Sequence, residues 1–177
     1  MVIDFMKKQI RTIDLFAGCG GLSLGFASVG FKLVGAVDNW ESAVKTYRRN
    51  FTDHKIFDLD LSDVNKSVSV LSELTPDLIV GGPPCQDFSH AGKRDEKRGR
   101  ADLTVSYAKI IAGIKPKWFV MENVDQITKS DKLVEARKIF REAGYGLTEK
   151  VLDASFCGVP QKRKRFFMVG AFNMHDN

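Results

Sequence analysis

The chain has 177 residues, a length typical of one domain with its own core. Hydrophobic residues make up 44% and charged residues 28%, which excludes wholesale disorder, and the apolar runs are too short for a transmembrane helix. Three scattered cysteines and three scattered histidines predict neither a disulfide scaffold nor a metal site. Residues 1–8 lack the apolar segment of a signal peptide, so we expect a cytoplasmic protein.

Short β-rich runs alternate with longer amphipathic runs along the chain. Strands are predicted at residues 11–16, 32–37, 76–80, 118–121 and 165–170, with a further strand implied before residue 58. Helices are predicted at residues 21–29, 40–50, from 62 onwards, 103–114 and 132–143. Apolar strands separated by helices indicate an α/β fold, a doubly wound and mostly parallel sheet covered on both faces. We predict a single domain over residues 1–177.

Unusual residues follow the predicted strands. A glycine cluster follows the first strand, Asp38 the second, Pro83-Pro84-Cys85 the fourth and Glu122-Asn123 the fifth. Ligands of open α/β sheets bind at the carboxyl ends of the strands. The sequence therefore predicts one site at this edge of the sheet.

The segment Asp14-Leu-Phe-Ala-Gly-Cys-Gly-Gly-Leu22 is typical of a strand, a tight turn and the start of a helix. Gly18, Gly20 and Gly21 allow a left-handed backbone, and the helix offers unpaired N–H groups to a ligand. A dinucleotide fingerprint has Gly or Ala at the position of Ser23, which argues against a nicotinamide-dependent dehydrogenase.

Two aspartates are candidate cofactor ligands. Asp38 is placed to accept hydrogen bonds from ribose hydroxyls, and Asp58 could bind an adenine amino group. Taken alone, each is equally well explained as a loop acid or a helix N-cap.

The stretch Pro83-Pro84-Cys85-Gln86 is the most specific in the chain. Two prolines fix the backbone, and a cysteine held at the sheet edge is a candidate nucleophile. Cys19 and Cys157 are instead predicted to be small hydrophobic residues of the core.

Basic residues concentrate in two segments, 93–100 and 162–165, although the net charge is only +5. Such clusters near a site suit a polyanionic substrate. The alternative for the first segment is a solvated loop.

Four segments, in order, resemble the motifs of the DNA (cytosine-5-)-methyltransferase family. Asp14–Leu22 resembles its cofactor motif and Gly82–Ser89 its catalytic motif. Glu122-Asn123-Val124 resembles its Glu-Asn-Val motif and Gln161–Arg165 its Gln-x-Arg-x-Arg motif. The resemblance covers nearly the whole chain and implies a class I, Rossmann-like fold that uses S-adenosylmethionine.

The resemblance also implies a mechanism. Cys85 would bond to C6 of a cytosine, Glu122 would face N3, Arg165 would hold O2 and Arg163 would lie near the Cys85 sulfur. The target base must be flipped out of duplex DNA. Residues 86–100 would form a loop on the DNA, with contacts from Gln86, Ser89, Lys93, Arg94, Lys97 and Arg98.

The cofactor site implied by the resemblance is larger. Its expected members are Phe16, Gly18, Gly20, Gly21, Leu22, Asp38, Asn39, Trp40, Asp58, Leu59, Pro84 and Leu103. The residue after the acid is commonly apolar in this family, but here it is Asn39. Either Asn39 or Trp40 would pack on the adenine.

The family continues with a target-recognition domain and a closing helix, for which these 177 residues leave no room. We expect the catalytic subunit of a two-polypeptide restriction-modification methyltransferase; a fragment or a residual cofactor-binding protein are the alternatives. Two rival functions stay open: a tRNA cytosine-C5 methyltransferase and a non-catalytic, S-adenosylmethionine-binding regulatory subunit.

Overall fold

The computed structural model describes residues 9–84 and 102–177. Within these residues the centre of the fold is a seven-stranded sheet. The strands are β1 (Arg11–Leu15), β2 (Lys32–Asp38), β3 (Ile56–Asp58), β4 (Leu78–Gly81), β5 (Trp118–Val124), β6 (Tyr145–Asp153) and β7 (Lys164–Phe172). The α-helices are α1 (Gly21–Ser28), α2 (Glu41–Asn50), α3 (Val64–Ser72), α4 (Leu103–Ile114) and α5 (Asp131–Glu142).

The strand order is β3-β2-β1-β4-β5-β7-β6. The first five strands in this order are parallel, and β7 runs antiparallel to both of its neighbours. The order reverses between β1 and β4, and ligands of such sheets bind beside a reversal of this kind. The predicted doubly wound, mostly parallel fold is confirmed.

Helices cover both faces of the sheet. On one face the strands pack on α3, α4 and α5, which contribute Leu71, Ile110 and Phe140 to one buried cluster. On the other face Val44 and Tyr47 of α2 belong to a second buried cluster. None of the helices in the described ranges is long and apolar enough to cross a bilayer.

Two features of the strands differ from the sequence prediction. Glu122 and Asn123 lie within β5 rather than after it, because β7 pairs with β5 as far as Val124 and Arg165. The pattern also did not predict β6. This strand lies at the edge of the sheet, and most of its second half is exposed, so it lacks a continuous apolar run.

Candidate active site

The glycine turn after β1 has the backbone that its sequence predicts. Gly18 and Gly20 have φ values of 57° and 100°, and Gly20 is the residue that precedes α1. Phe16 also has a positive φ, 57°, which costs a non-glycine residue about 1 kcal/mol or more. A Cβ atom added at Gly18 or Gly21 would meet no atom within 4 Å, so both positions leave space for a ligand.

Asp38, the last residue of β2, fixes the backbone around this turn. Its Oδ2 accepts a hydrogen bond from the Gly18 N–H at 2.9 Å, and its Oδ1 accepts one from the Trp40 N–H at 2.8 Å. Each carboxylate oxygen has a further lone pair for a ligand hydroxyl. Asp38 therefore serves as a loop acid and still has acceptor capacity for a ribose.

Two neighbouring clefts lie at the candidate site. The smaller of them, of about 300 Å³, is beside Asp38. Of the predicted cofactor residues, it is lined by Phe16, Asp38, Asn39, Trp40, Leu59, Pro84 and Leu103. Asn39 and Trp40 both line it, and the Trp40 side chain is 69% exposed. Asp102 caps α4 by accepting the Thr104 N–H at 2.9 Å, which fixes the start of the helix at Leu103.

The wall of this cleft includes an aspartate that the sequence prediction did not name. Asp60 and Leu61 line it, whereas Asp58 does not. Asp58 ends β3, and the cleft lies two residues further along the chain. The signal that could have identified Asp60 is its turn: Asp60 Oδ1 accepts the Ser62 N–H at 2.9 Å, as aspartates in turns commonly do.

A larger cleft of about 520 Å³ lies beside the smaller one, and Phe16 and Gly82 line both. Of the predicted residues, the larger cleft is lined by Phe16, Gly21, Leu22, Glu122, Arg163 and Arg165. Sequence reasoning did not select its other lining residues, Ala17, Gly82, Leu152, Ala154, Cys157 and Phe167. The geometry therefore brings three of the four predicted catalytic residues into one cleft.

Glu122 and Arg165 form an ion pair in this cleft. Arg165 Nε lies 2.9 Å from Glu122 Oε1, and the two side chains are about a quarter exposed. Burial raises the pKa of the Glu122 carboxyl above its ordinary value, and the charges of Arg165 and Arg163 oppose that shift. Glu122 thus faces the cleft as a carboxyl that binds a proton more readily than an exposed one.

The loop that carries Arg163 is held by Asp153. Asp153 Oδ1 accepts the backbone N–H groups of Ser155 and Arg163, both at 3.1 Å. The Ala154 N–H in turn donates to the Arg163 carbonyl oxygen at 3.0 Å. These bonds place the exposed Arg163 side chain beside the cleft.

Asn123 connects β5 to the proline turn after β4. Its Nδ2 donates to the Pro83 carbonyl oxygen at 2.8 Å, and its Oδ1 accepts the Val124 N–H at 2.9 Å. The Asn123 side chain is buried, so its bond to the Pro83 carbonyl is shielded from water. A Cβ at Gly82 would lie 3.1 Å from Glu122 Oε2, so the glycine permits the carboxylate to approach the turn.

Cys85 follows Pro84 in the sequence and lies outside the described residues. The predicted DNA contacts Gln86, Ser89, Lys93, Arg94, Lys97 and Arg98 lie outside them as well. The prediction that Cys19 and Cys157 are core residues is wrong, because both are exposed. Cys19 lies in the glycine turn at the surface, and Cys157 ends the short 3-10 helix after β6, where it lines the larger cleft.

The residues present fit S-adenosylmethionine. Phe16 and Trp40 offer aromatic surface, Asp38 offers carboxylate acceptors, and Gly21, where a Cβ would meet no atom within 4 Å, lines the larger cleft. In the described part of the chain, no three His, Cys, Asp or Glu side chains are grouped as a metal site requires.

Fold and clefts together define a class I, Rossmann-like, S-adenosylmethionine-dependent methyltransferase. Two solved structures share this fold. The Schizosaccharomyces pombe Dnmt2 methyltransferase superposes with a TM-score of 0.79 at 24% identity, over 96% of this chain and 53% of that one. A protein assigned as a DNA modification methyltransferase, encoded within prophage Cp of E. coli, gives a TM-score of 0.77 at 30% identity, over 93% and 47% of the chains.

The profile of the C-5 cytosine-specific DNA methylase family matches residues 10–177, and the chain belongs to this family. Its relatives include the Type II methyltransferase M.HindV of Haemophilus influenzae, 54% identical over 168 residues, which are 95% of this chain and 55% of M.HindV. M.HgiDI of Herpetosiphon aurantiacus is 55% identical over 161 residues, 91% of this chain and 52% of M.HgiDI. The chain thus spans about half the length of these relatives. Membership of the family excludes the dehydrogenase considered above.

Proposed function

We propose that this chain is the catalytic part of a Type II restriction-modification methyltransferase that methylates C5 of cytosine in duplex DNA. The observation that carries the proposal is the Glu122–Arg165 ion pair in the larger cleft. This cleft shares Phe16 and Gly82 with the smaller cleft, in which we place the cofactor. An acid and a cation in a cleft next to the cofactor are what a flipped cytosine requires. Family membership makes cytosine the expected base.

Glu122 acts on N3 of the cytosine in this proposal. Because burial raises its pKa, the carboxyl is protonated more often than an exposed glutamate and donates to the ring nitrogen. That bond lowers the charge that develops on the ring when a thiolate adds to C6. The predicted nucleophile is the Cys85 thiolate, and the C5 proton and the thiolate leave the ring at the end of the reaction.

The two arginines have different tasks. Arg165 is held by Glu122 and by the carbonyl oxygen of Lys164, at 2.7 Å, and we assign it to the cytosine O2. Arg163 is exposed and lines the same cleft, so its charge is available to a thiolate, whose pKa a neighbouring cation lowers.

S-adenosylmethionine supplies the methyl group when it is bound. Phe16, Trp40, Leu59 and Leu103 form the apolar wall for the adenine, and Asp38 holds the ribose. Asp60, rather than Asp58, is assigned to the adenine amino group because it lines the cleft.

The experiment that tests this proposal is transfer of labelled methyl from S-adenosylmethionine to mixed-sequence duplex DNA, with Cys85→Ala as the inactive control. The chain is assayed alone and together with the product of any neighbouring reading frame, because a second polypeptide that reads the DNA sequence stays a prediction. Transfer that Cys85→Ala abolishes supports the proposal. DNA with 5-fluorocytosine should trap a covalent complex with the wild-type chain only, because fluorine cannot leave C5 as a proton does.

Two outcomes would favour the rival functions. Transfer to tRNA and none to DNA would identify the RNA methyltransferase. Cofactor binding without transfer in any combination would identify the regulatory subunit.

A further inference from the structure

A chain of hydrogen bonds runs from the buried carboxyl of Asp14 on β1 to the protein surface. Asp14 Oδ2 accepts the Ser23 N–H at 3.0 Å and lies 2.7 Å from Ser23 Oγ. Ser23 Oγ lies 2.8 Å from the Tyr47 hydroxyl, which lies 2.7 Å from His54 Nε2. His54 Nδ1 lies 2.8 Å from Oδ1 of the exposed Asp53. Asp14, Ser23 and Tyr47 are fully buried, so the bonds among these three residues are shielded from water.

The same segment at the end of α2 contacts the glycine turn at two further points. Asn50 Nδ2 donates to the Cys19 carbonyl oxygen at 3.0 Å. The ring of Phe51 occupies the position that a side chain at Gly20 would need. Tyr47 stacks on Phe51, with ring centroids 4.6 Å apart. The series of hydrogen bonds and this packing therefore both hold the glycine turn from the side of α2.

The hydrogen atoms in this series of hydrogen bonds can be placed in two self-consistent arrangements. If Asp14 is ionised, Ser23 donates to it, Tyr47 donates to Ser23, and His54 must be an imidazolium that donates to Tyr47 and Asp53. If Asp14 is protonated on Oδ2, the three bonds that join Asp14, Ser23 Oγ, Tyr47 and His54 Nε2 reverse; a neutral His54 then accepts from Tyr47 and still donates from Nδ1 to Asp53. Protonation on Oδ1 is disfavoured, because that oxygen is buried without a partner among the described residues.

We propose that Asp14, Ser23, Tyr47 and His54 form a positioning network that holds the glycine turn for the cofactor and carries one proton between Asp14 and His54. In the transfer, the Asp14 proton moves to Ser23 Oγ, the Ser23 proton to the Tyr47 oxygen and the Tyr47 proton to His54 Nε2. One carboxylate and one imidazolium form, and the net charge is unchanged. The cofactor role rests on the proposed function, whereas the proton path does not.

Three further groups act electrostatically on this network. Burial raises the pKa of Asp14 to about 7, and the charge of Asp38 on β2 adds to that shift. The charge of Asp14 acts on the buried Tyr107 of α4, and Asp53 Oδ1 lies 2.8 Å from His54 Nδ1. A proton therefore leaves Asp14 near neutral pH, and the hydrogen-bonded network connects this carboxyl to the imidazole of His54.

The first test follows the carboxyl ¹³C signal of Asp14 and the imidazole ¹⁵N signals of His54 by NMR in the cofactor-free chain. In the wild type the His54 nitrogen signals should change over the same pH interval as the Asp14 carboxyl signal, because one proton path connects the two groups. Tyr47→Phe keeps the ring and removes the hydroxyl, so the signal changes at Asp14 and at His54 should no longer coincide. Independent titration in the wild type would overturn the proton path.

The second test measures S-adenosylmethionine affinity by calorimetry. Tyr47→Phe should weaken binding about tenfold, since it removes the hydroxyl that joins Ser23 Oγ to His54 Nε2 beside the turn. The matched control is Tyr145→Phe, which loses a buried hydroxyl bond of 2.6 Å to the Pro116 carbonyl at the opposite end of the sheet. It should stay within about twofold of the wild type.

Equal affinity of the two phenylalanine variants would overturn the positioning role and leave the proposed function intact. A wild-type chain that does not bind S-adenosylmethionine would overturn the proposed function itself. If Tyr47→Phe does not fold, His54→Gln replaces it: the amide still bonds to Tyr47 but accepts no proton. An Asp14 titration unchanged in His54→Gln would contradict the proton path.

Discussion

The cofactor side and the catalytic side of the site lie on the same edge of the sheet, but different interactions hold them. Around the glycine turn, Asp38 bonds to two backbone N–H groups, and Asp14 and Ser23 are fully buried. Around Glu122 a single ion pair joins two side chains that are each about a quarter exposed. The first arrangement belongs to the core of the fold, whereas the second belongs to its surface. Substitutions should therefore affect stability and affinity on one side and reaction rate on the other.

Glu122→Gln is expected to have the largest effect on rate. It should lower methyl transfer about a hundredfold to ten-thousandfold, because the amide cannot supply a proton to the base. Cofactor affinity and the unfolding midpoint should stay near the wild-type values. The measurements are single-turnover methyl transfer and calorimetric titration of the cofactor.

Glu149→Gln is the matched control for that variant. Glu149 pairs with Arg137 at 2.7 Å, and the two side chains have nearly the same exposure as Glu122 and Arg165, but they lie outside the clefts. Its rate should equal that of the wild type. A similar rate loss in both glutamine variants would contradict the assignment of Glu122.

Asp14→Asn tests the buried side through the pH dependence of stability. Burial raises the pKa of Asp14 from 3.8 to about 7, so the folded protein retains a proton that the unfolded chain releases. The resulting stabilisation is fully present below about pH 4 and is lost as the pH rises through about 7. At about 1.4 kcal/mol per pKa unit the loss is on the order of 4 kcal/mol.

The asparagine cannot ionise, so its free energy of unfolding relative to the wild type should rise between about pH 4 and about pH 7 and then stay constant. Urea denaturation at a series of pH values measures this difference. A difference that does not depend on pH would show that Asp14 does not titrate in this range.

Gly20→Ala tests the turn itself. Its φ of 100° and the ring of Phe51 both oppose a side chain, so we expect a loss of about 2–3 kcal/mol in the free energy of unfolding. Cofactor affinity should fall as well. The control is Gly25→Ala, within α1, where a Cβ meets no atom within 4 Å and alanine should stabilise the helix by about 0.5–1 kcal/mol. Thermal unfolding should show a lower midpoint for Gly20→Ala and a higher midpoint for Gly25→Ala than for the wild type.

Asp60→Ala should have the smallest effect, a loss of cofactor affinity of about tenfold with little change in rate at saturation. Asp58→Ala should stay within about twofold of the wild type, because Asp58 does not line the cleft. Calorimetric measurement of cofactor affinity in the two alanine variants shows which aspartate binds the cofactor. The reverse order would support Asp58 as the ligand of the adenine amino group.

Most of the fold could be predicted from the sequence because the parallel strands are short apolar runs and their last residues are distinctive. The strand that the sequence did not predict is β6. Most of its second half is exposed, and its pairing with β7 makes it a strand. Pairing with β7 also explains why Glu122 lies within β5 rather than after it.

The site was predictable where a residue lies within a local motif, as Phe16 and Asp38 do. It was not predictable where the contact depends on tertiary structure. Asn123 reaches the Pro83 carbonyl across 40 residues of sequence, and Tyr47 meets Ser23 across 24. The exposure of Cys157 likewise follows from the path of the loop after β6, which composition does not reveal.

The position of β7 has a consequence for how the protein is made. It is the last of the described strands in sequence, yet it lies between β5 and β6. Chains leave the ribosome from the N-terminus, so the residues of β1 to β4 emerge well before Arg165. We expect a nascent chain to assemble its glycine turn before Glu122 has its partner, and so to acquire cofactor binding before catalytic competence.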